Sequence, residues 1–190
     1  YVVNAGGSHA DLTGEYAAIP EEMGTVAAAF GKDVLREVDK VDFYARLGNL
    51  RGTVFDRAIL RAMHYFAEDE RAMALGRAVE AGDVEACKAI MLASGASSMN
   101  RLQNIYPAPQ ADERSVALAL ALSEEILAGR GAWRIQGGGF AGTIQALVPH
   151  ELCAAYEEGM RAAFGPGCCS RLHIRPVGGY LLKEEEAHGE

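Results

Sequence analysis

The chain has 190 residues, with 18 Lys+Arg against 26 Asp+Glu and a formal net charge of −8. Apolar residues make up 49% and charged residues 23%, enough for a hydrophobic core and too apolar for wholesale disorder. The acidic balance excludes a general nucleic-acid binder, which needs a basic face to neutralise phosphates, although a few aimed N–H groups can still bind a small anion.

Tyr1-Val2-Val3-Asn4-Ala5 reads as a buried strand already under way, with no initiator Met, leader or polar lead-in. The chain is therefore expected to be the later part of a longer protein. Gly6-Gly7-Ser8-His9 is a turn by composition. Pro20 suits a first helical turn, with Glu21 and Glu22 near the positive end of the helix dipole and Gly31 closing the segment. Residues 33–47 read as one or two short helices broken near Gly48. The strongest helix spans residues 56–81, where Ile59, Met63 and Phe66 form a stripe that ends at Gly82. Asp83 caps the next helix, with Val84, Cys87, Ile90 and Met91 inward. Pro107 and Pro109 break the chain before an apolar helix over 115–127.

The texture then changes to strand, glycine loop, strand, helix and strand. Strands are expected at 1–5, 132–136, 143–148 and 170–176, and a helix from Pro149 to Phe164. Residues 183–190 form a charged tail. The fold class is α+β in a single domain spanning 1–190, its mostly antiparallel sheet packed by helices on one face. The longest clean apolar run, Val116–Leu122, has seven residues. A membrane-spanning helix needs roughly 20, so no membrane partner is expected. Cys87, Cys153, Cys168 and Cys169 contain no CxxC pair and are expected to be reduced thiols of a cytoplasmic protein.

Two segments hold the candidate chemistry. Gly137-Gly138-Gly139-Phe140-Ala141-Gly142 fits neither GxxxxGK[ST] nor GxGxxG, which excludes a P-loop or a Rossmann site. Its glycines allow positive φ and let a ligand approach the backbone; a tight link between two strands is the other reading. In the second segment, the Tyr16 phenol can hydrogen-bond a sugar hydroxyl or serve as a satisfied core group. His9 is either a titrating group or a local turn residue.

Together these segments resemble the C-terminal half of the galactokinase family, within the GHMP small-molecule kinase superfamily. His9-Ala10-Asp11-Leu12-Thr13-Gly14-Glu15-Tyr16 resembles the family's His-x-Leu-x-x-x-x-Tyr pattern, although the paired arginines that often follow are replaced by Ala17-Ala18-Ile19-Pro20-Glu21-Glu22. The glycine segment resembles the family's third motif, with Ala141 in place of a glycine. The helix around Arg61-Ala62-Met63-His64-Tyr65-Phe66 resembles the family's helix after the sugar lobe.

The resemblance implies that ATP, with Mg²⁺, phosphorylates galactose at its anomeric hydroxyl. It implies Tyr16 as the sugar-contacting residue and Gly137, Gly138 and Gly139 as the floor of the site near sugar and phosphate. No catalytic or metal-binding residue is expected here, because the family's catalytic aspartate, sugar signature and ATP loop lie in the N-terminal half. That half is the expected partner, and the chain alone is expected to be inactive, with neither ATP nor Mg²⁺ bound. His9, Asp11 and His64 stay without a role. A non-catalytic galactose-sensing relative, a GHMP kinase for another metabolite and an α+β module without chemistry remain alternatives.

Overall fold

The computed structural model describes residues 1–7, 12–107, 112–174, 177–179 and 181. His9, Asp11, Pro109 and the charged tail from 183 lie outside the described residues. Four strands, β1 (Val2–Gly6), β2 (Ala132–Ile135), β3 (Gly142–Leu147) and β4 (Cys169–Ser170), form one sheet in the order β2-β3-β1-β4. All three pairings are antiparallel.

Strand periodicity selects the core face. Val3 lies opposite Ile144, which lies opposite Ile135, and all three are fully buried. They pack on Val116, Ala119, Leu120 and Leu127 of α6 (Ser115–Leu127) and on Tyr156 and Met160 of α7 (Cys153–Phe164). The sheet therefore carries helices on this face, as the sequence predicts. An added helix, α5 (Val84–Ser97), lies against β2, where Gly95 approaches the Trp133 carbonyl so closely that a Cβ would sit 3.1 Å from it. It covers an edge strand that would otherwise present unpaired backbone groups.

A second core joins α1 (Thr13–Ala28), α2 (Lys40–Ala45), α3 (Leu47–Leu50) and α4 (Asp56–Glu80) through Val26, Phe43, Leu50, Ile59 and Phe66. The Phe43 and Phe66 rings stand 5.1 Å apart. Asp83 caps α5 by accepting from the Ala86 N–H at 2.9 Å.

Three expectations need correction. α1 begins at Thr13, so Pro20 lies inside the helix rather than in its first turn. Leu12, Tyr16 and Ile19, spaced like one helical face, pack on Phe140 and Ala141, and this tertiary contact outweighs the local proline rule. Val84 is 63% exposed; the buried residues of α5 are Ser94 and Ser97, because the face they share meets polar residues of α4. The strand expected over 170–176 is reduced to Cys169–Ser170. Its register sets Cys169 against Val3 and Ser170 against Val2, and the described residues 171–174 carry no strand, while 175 and 176 lie outside the described residues. Leu172 and Ile174 are correspondingly exposed.

Candidate functional site

The glycine segment links β2 to β3. Gln136 N–H donates to the Thr143 carbonyl at 3.0 Å, closing the ladder at its last step. Beyond it the backbone enters the left-handed region at Gly137 (φ +64°), Gly139 (φ +87°), Phe140 (φ +64°) and Gly142 (φ +90°). The three consecutive glycines answer three different demands. Gly137 takes positive φ into open space. Gly138 does not take positive φ; a Cβ there would stand 2.9 Å from Tyr16 Cε1. Gly139 combines positive φ with a contact that would put a Cβ 2.2 Å from the Asn104 carbonyl oxygen. The expectation that Gly138 supplies positive φ is thus corrected: its demand is space. Ala141 is buried outside the left-handed region, so its methyl is accommodated, and the strained non-glycine position is its neighbour Phe140.

Tyr16 reaches this loop from α1 across 123 residues of sequence, and its hydroxyl donates to the Gly139 carbonyl at 2.8 Å. Its ring meets the Phe140 ring edge-on, at 5.3 Å and 87°. Burial pushes the phenol pKa up, which keeps the hydroxyl protonated and a donor. Gly137 and Gly138 are exposed and Gly139 is buried, so the loop offers open backbone on one side and rests on protein on the other. The sequence-predicted residues Tyr16, Gly137, Gly138 and Gly139 are therefore brought together. Asn104, which the sequence reading missed, lies beneath them: its Nδ2 donates to the Gly138 carbonyl at 3.0 Å, and its own carbonyl accepts the Phe140 N–H. No periodicity or motif marks it.

His64 takes a structural place. It is buried on α4, with Nδ1 2.9 Å from Ser97 Oγ. Burial lowers its pKa, opposed by the charge of Glu68. Glu68 joins α4, α5 and β2: Ser94 Oγ donates to it, Arg71 Nε donates at 2.7 Å, and Arg134 Nη1 lies 3.4 Å away. Burial pushes the Glu68 carboxyl up, but these donors and charges outweigh it, and the pKa falls below the ordinary carboxylate value. A depressed folded-state pKa adds stability that is present above the unfolded value, about 4.3, and is lost as pH falls through the folded value. Urea midpoints of the wild type and Glu68→Gln should therefore differ at neutral pH, and the Glu68 contribution to the gap should fall away below about pH 4 as its carboxyl protonates. A gap that keeps its full size at about pH 3 would refute the assignment.

Among the described residues, no group of three or more His, Cys, Asp or Glu is placed to hold a metal ion. The Arg134 guanidinium, flanking the loop in sequence, is engaged by Glu68 and the Ile135 carbonyl. The Cys168 and Cys169 sulfurs lie 3.7 Å apart as free thiols, and no described helix is long and apolar enough to cross a membrane.

Comparison with known proteins places this geometry in context. No family model matches the chain. It is 28% identical over 150 residues to a galactokinase of Glaesserella parasuis serovar 5, covering 79% of this chain and 37% of that protein. It is 29% identical over 150 residues to a galactokinase of Haemophilus influenzae, with the same coverage. Among solved structures, a galactokinase of Lactococcus lactis complexed with galactose superposes with a TM-score of 0.66 at 22% identity, over 86% of this chain and 40% of that one. The fold is shared with part of that protein, and the chain spans less than half the length of these relatives. The similarity expected from the two motifs is found.

Proposed function

We propose that this chain is the C-terminal part of a galactokinase, whose other part supplies the ATP loop, the sugar signature and the catalytic aspartate. In the complete protein the anomeric oxygen of galactose attacks the γ-phosphorus of ATP. The bond from that phosphorus to the ADP oxygen breaks, the hydroxyl proton is released, and galactose 1-phosphate and ADP result. ATP supplies the phosphoryl group, with Mg²⁺, when both are bound to the complete protein. The residues of this chain position the sugar: Tyr16 contacts it, and Gly137 to Gly139 form the floor that lets it approach the backbone. The observation that carries this reading is the meeting of Tyr16 with the glycine loop, two motifs far apart in sequence that share one small core with Leu12 and Phe140. Four free thiols fit a reducing cytoplasm.

A coupled assay of ADP release with galactose, ATP and Mg²⁺ tests this. The chain alone should give no turnover above a blank. Expressed together with the polypeptide encoded upstream, it should give galactose-dependent release. A joined protein that binds galactose without releasing ADP would identify a sensing relative instead, and release with another sugar alone would move the specificity.

In the joined protein, Tyr16→Phe should raise the galactose KM more than it lowers kcat. A lost neutral hydrogen bond is worth about 0.5–1.5 kcal/mol, or roughly 2–12-fold. An unchanged KM would remove Tyr16 from the sugar site.

A further inference from the structure

We infer that Asn104 is a positioning residue that sets the shape of the glycine loop and, through it, the direction of the Tyr16 hydroxyl. The functional consequence rests on the galactokinase reading; the geometry does not.

α5 runs into a π-helical turn, Ser98–Leu102, and ends at Gln103 in the left-handed conformation (φ 59°, ψ 46°). Such turns interrupt helices where a chain must be redirected. This one delivers Asn104, 2% exposed, beneath the loop. Asn104 then holds the loop on both sides of Gly139. Its Nδ2 donates to the Gly138 carbonyl at 3.0 Å, and its carbonyl accepts the Phe140 N–H. Between these bonds the Gly139 α-carbon lies so close that a Cβ would meet Asn104 O at 2.2 Å, Nδ2 at 2.5 Å and Cγ at 2.8 Å. Phe140 pays for its left-handed backbone with local strain, and its N–H bond to Asn104 keeps it there.

The next carbonyl, Gly139 O, accepts from Tyr16. Adjacent carbonyls are thus drawn by donors on two different elements, and the place of one fixes the other. The remaining atom, Asn104 Oδ1, is buried and has no hydrogen-bond partner among the described residues. A side chain selected for packing alone would not bury an unsatisfied acceptor. The Nδ2 donor is what justifies an amide here.

The test uses the joined protein with Asn104→Leu and Asn104→Asp, read by amide hydrogen exchange and by galactose kinetics. In Asn104→Leu, exchange at Phe140 should quicken at least tenfold while β1 and α6 keep their protection. The galactose KM should rise several-fold, and adding Tyr16→Phe should have little further effect. In Asn104→Asp, a protonated carboxyl donates to Gly138 O, so protection corrected for intrinsic rate should be normal at low pH and lost as the group ionises. The wild type should show no such step. Wild-type loop protection in a folded Asn104→Leu protein would overturn the inference. If that variant does not fold, pH-independent protection in Asn104→Asp overturns it instead. Because exchange needs no turnover, a joined protein inactive on galactose would end the enzyme reading while the exchange data still decide the role of Asn104.

Discussion

Replacing Gly139 with alanine is expected to collapse the glycine loop and abolish galactose phosphorylation by the joined protein. Two demands coincide at this position. The backbone holds φ +87°, which costs an L-residue about 1–2 kcal/mol. A Cβ would also stand 2.2 Å from the Asn104 carbonyl oxygen, a backbone atom that cannot swing away without releasing the Phe140 N–H. Together they should destabilise the protein by about 3–4 kcal/mol, at the upper end for a single substitution. Gly137→Ala is the control: it shares the positive φ (+64°) but opens onto empty space, so only the conformational cost of about 1–2 kcal/mol should remain. Gly138→Ala should differ from both. Its Cβ meets the ring of Tyr16, a side chain that can move, so sugar binding should suffer more than stability. Urea midpoints and galactose KM values for the three variants check the order. Equal midpoints for Gly139→Ala and Gly137→Ala would show that the loop does not rest on Asn104.

Periodicity made part of this fold legible before any coordinates. The helix expected over 115–127 and the strand Ala132–Ile135 stand where their patterns place them, and α4 ends at Glu80, one residue before its expected end. Those elements bury one face against one core, so composition and spacing carry the information. What failed depended on contacts between distant residues. α1 starts before Pro20 because Leu12 and Tyr16 find Phe140, more than a hundred residues away. β4 pairs with β1 only through Cys169 and Ser170, which its own alternating Leu172 and Ile174 cannot reveal. Within the site, the pairing of Tyr16 with the glycine loop came from two motifs in a known order and not from spacing. The separate demands on Gly137, Gly138 and Gly139 look identical as letters. Asn104 was invisible because its role comes from a π turn and a left-handed residue, neither of which has a sequence period.

The same turn is tied to the buried ion pair of the helical core, which leads to the second large effect. Glu22→Ala should destabilise the protein far more than Arg61→Met, although each removes the same pair. Arg61 is 1% exposed, and its Nη1 faces Glu22 Oε2 at 3.0 Å as an ion pair off the angle of a hydrogen bond. Burial lowers the Arg61 pKa, and the Glu22 charge opposes that loss. Glu22 has a second partner, the more exposed Arg57, which forks onto its carboxylate with Nε 3.0 Å from Oε1. Removing Arg61 leaves Glu22 paired, and methionine refills the space, so the cost should stay below about 2 kcal/mol. Removing Glu22 leaves the Arg61 charge buried without its ion-pair partner, at about 3–5 kcal/mol. The damage should also reach the site. Arg61 Nε donates to the Leu102 carbonyl at 3.2 Å, two residues before Asn104. Arg61→Met deletes that donor, and a guanidinium that leaves the interior for water releases the same carbonyl, so both variants should loosen the glycine loop. Urea denaturation of both variants, with amide exchange at Phe140, measures the two effects. Equal destabilisation, or a larger loss for Arg61→Met, would mean that Arg61 is held by its packing and the Leu102 carbonyl rather than by Glu22.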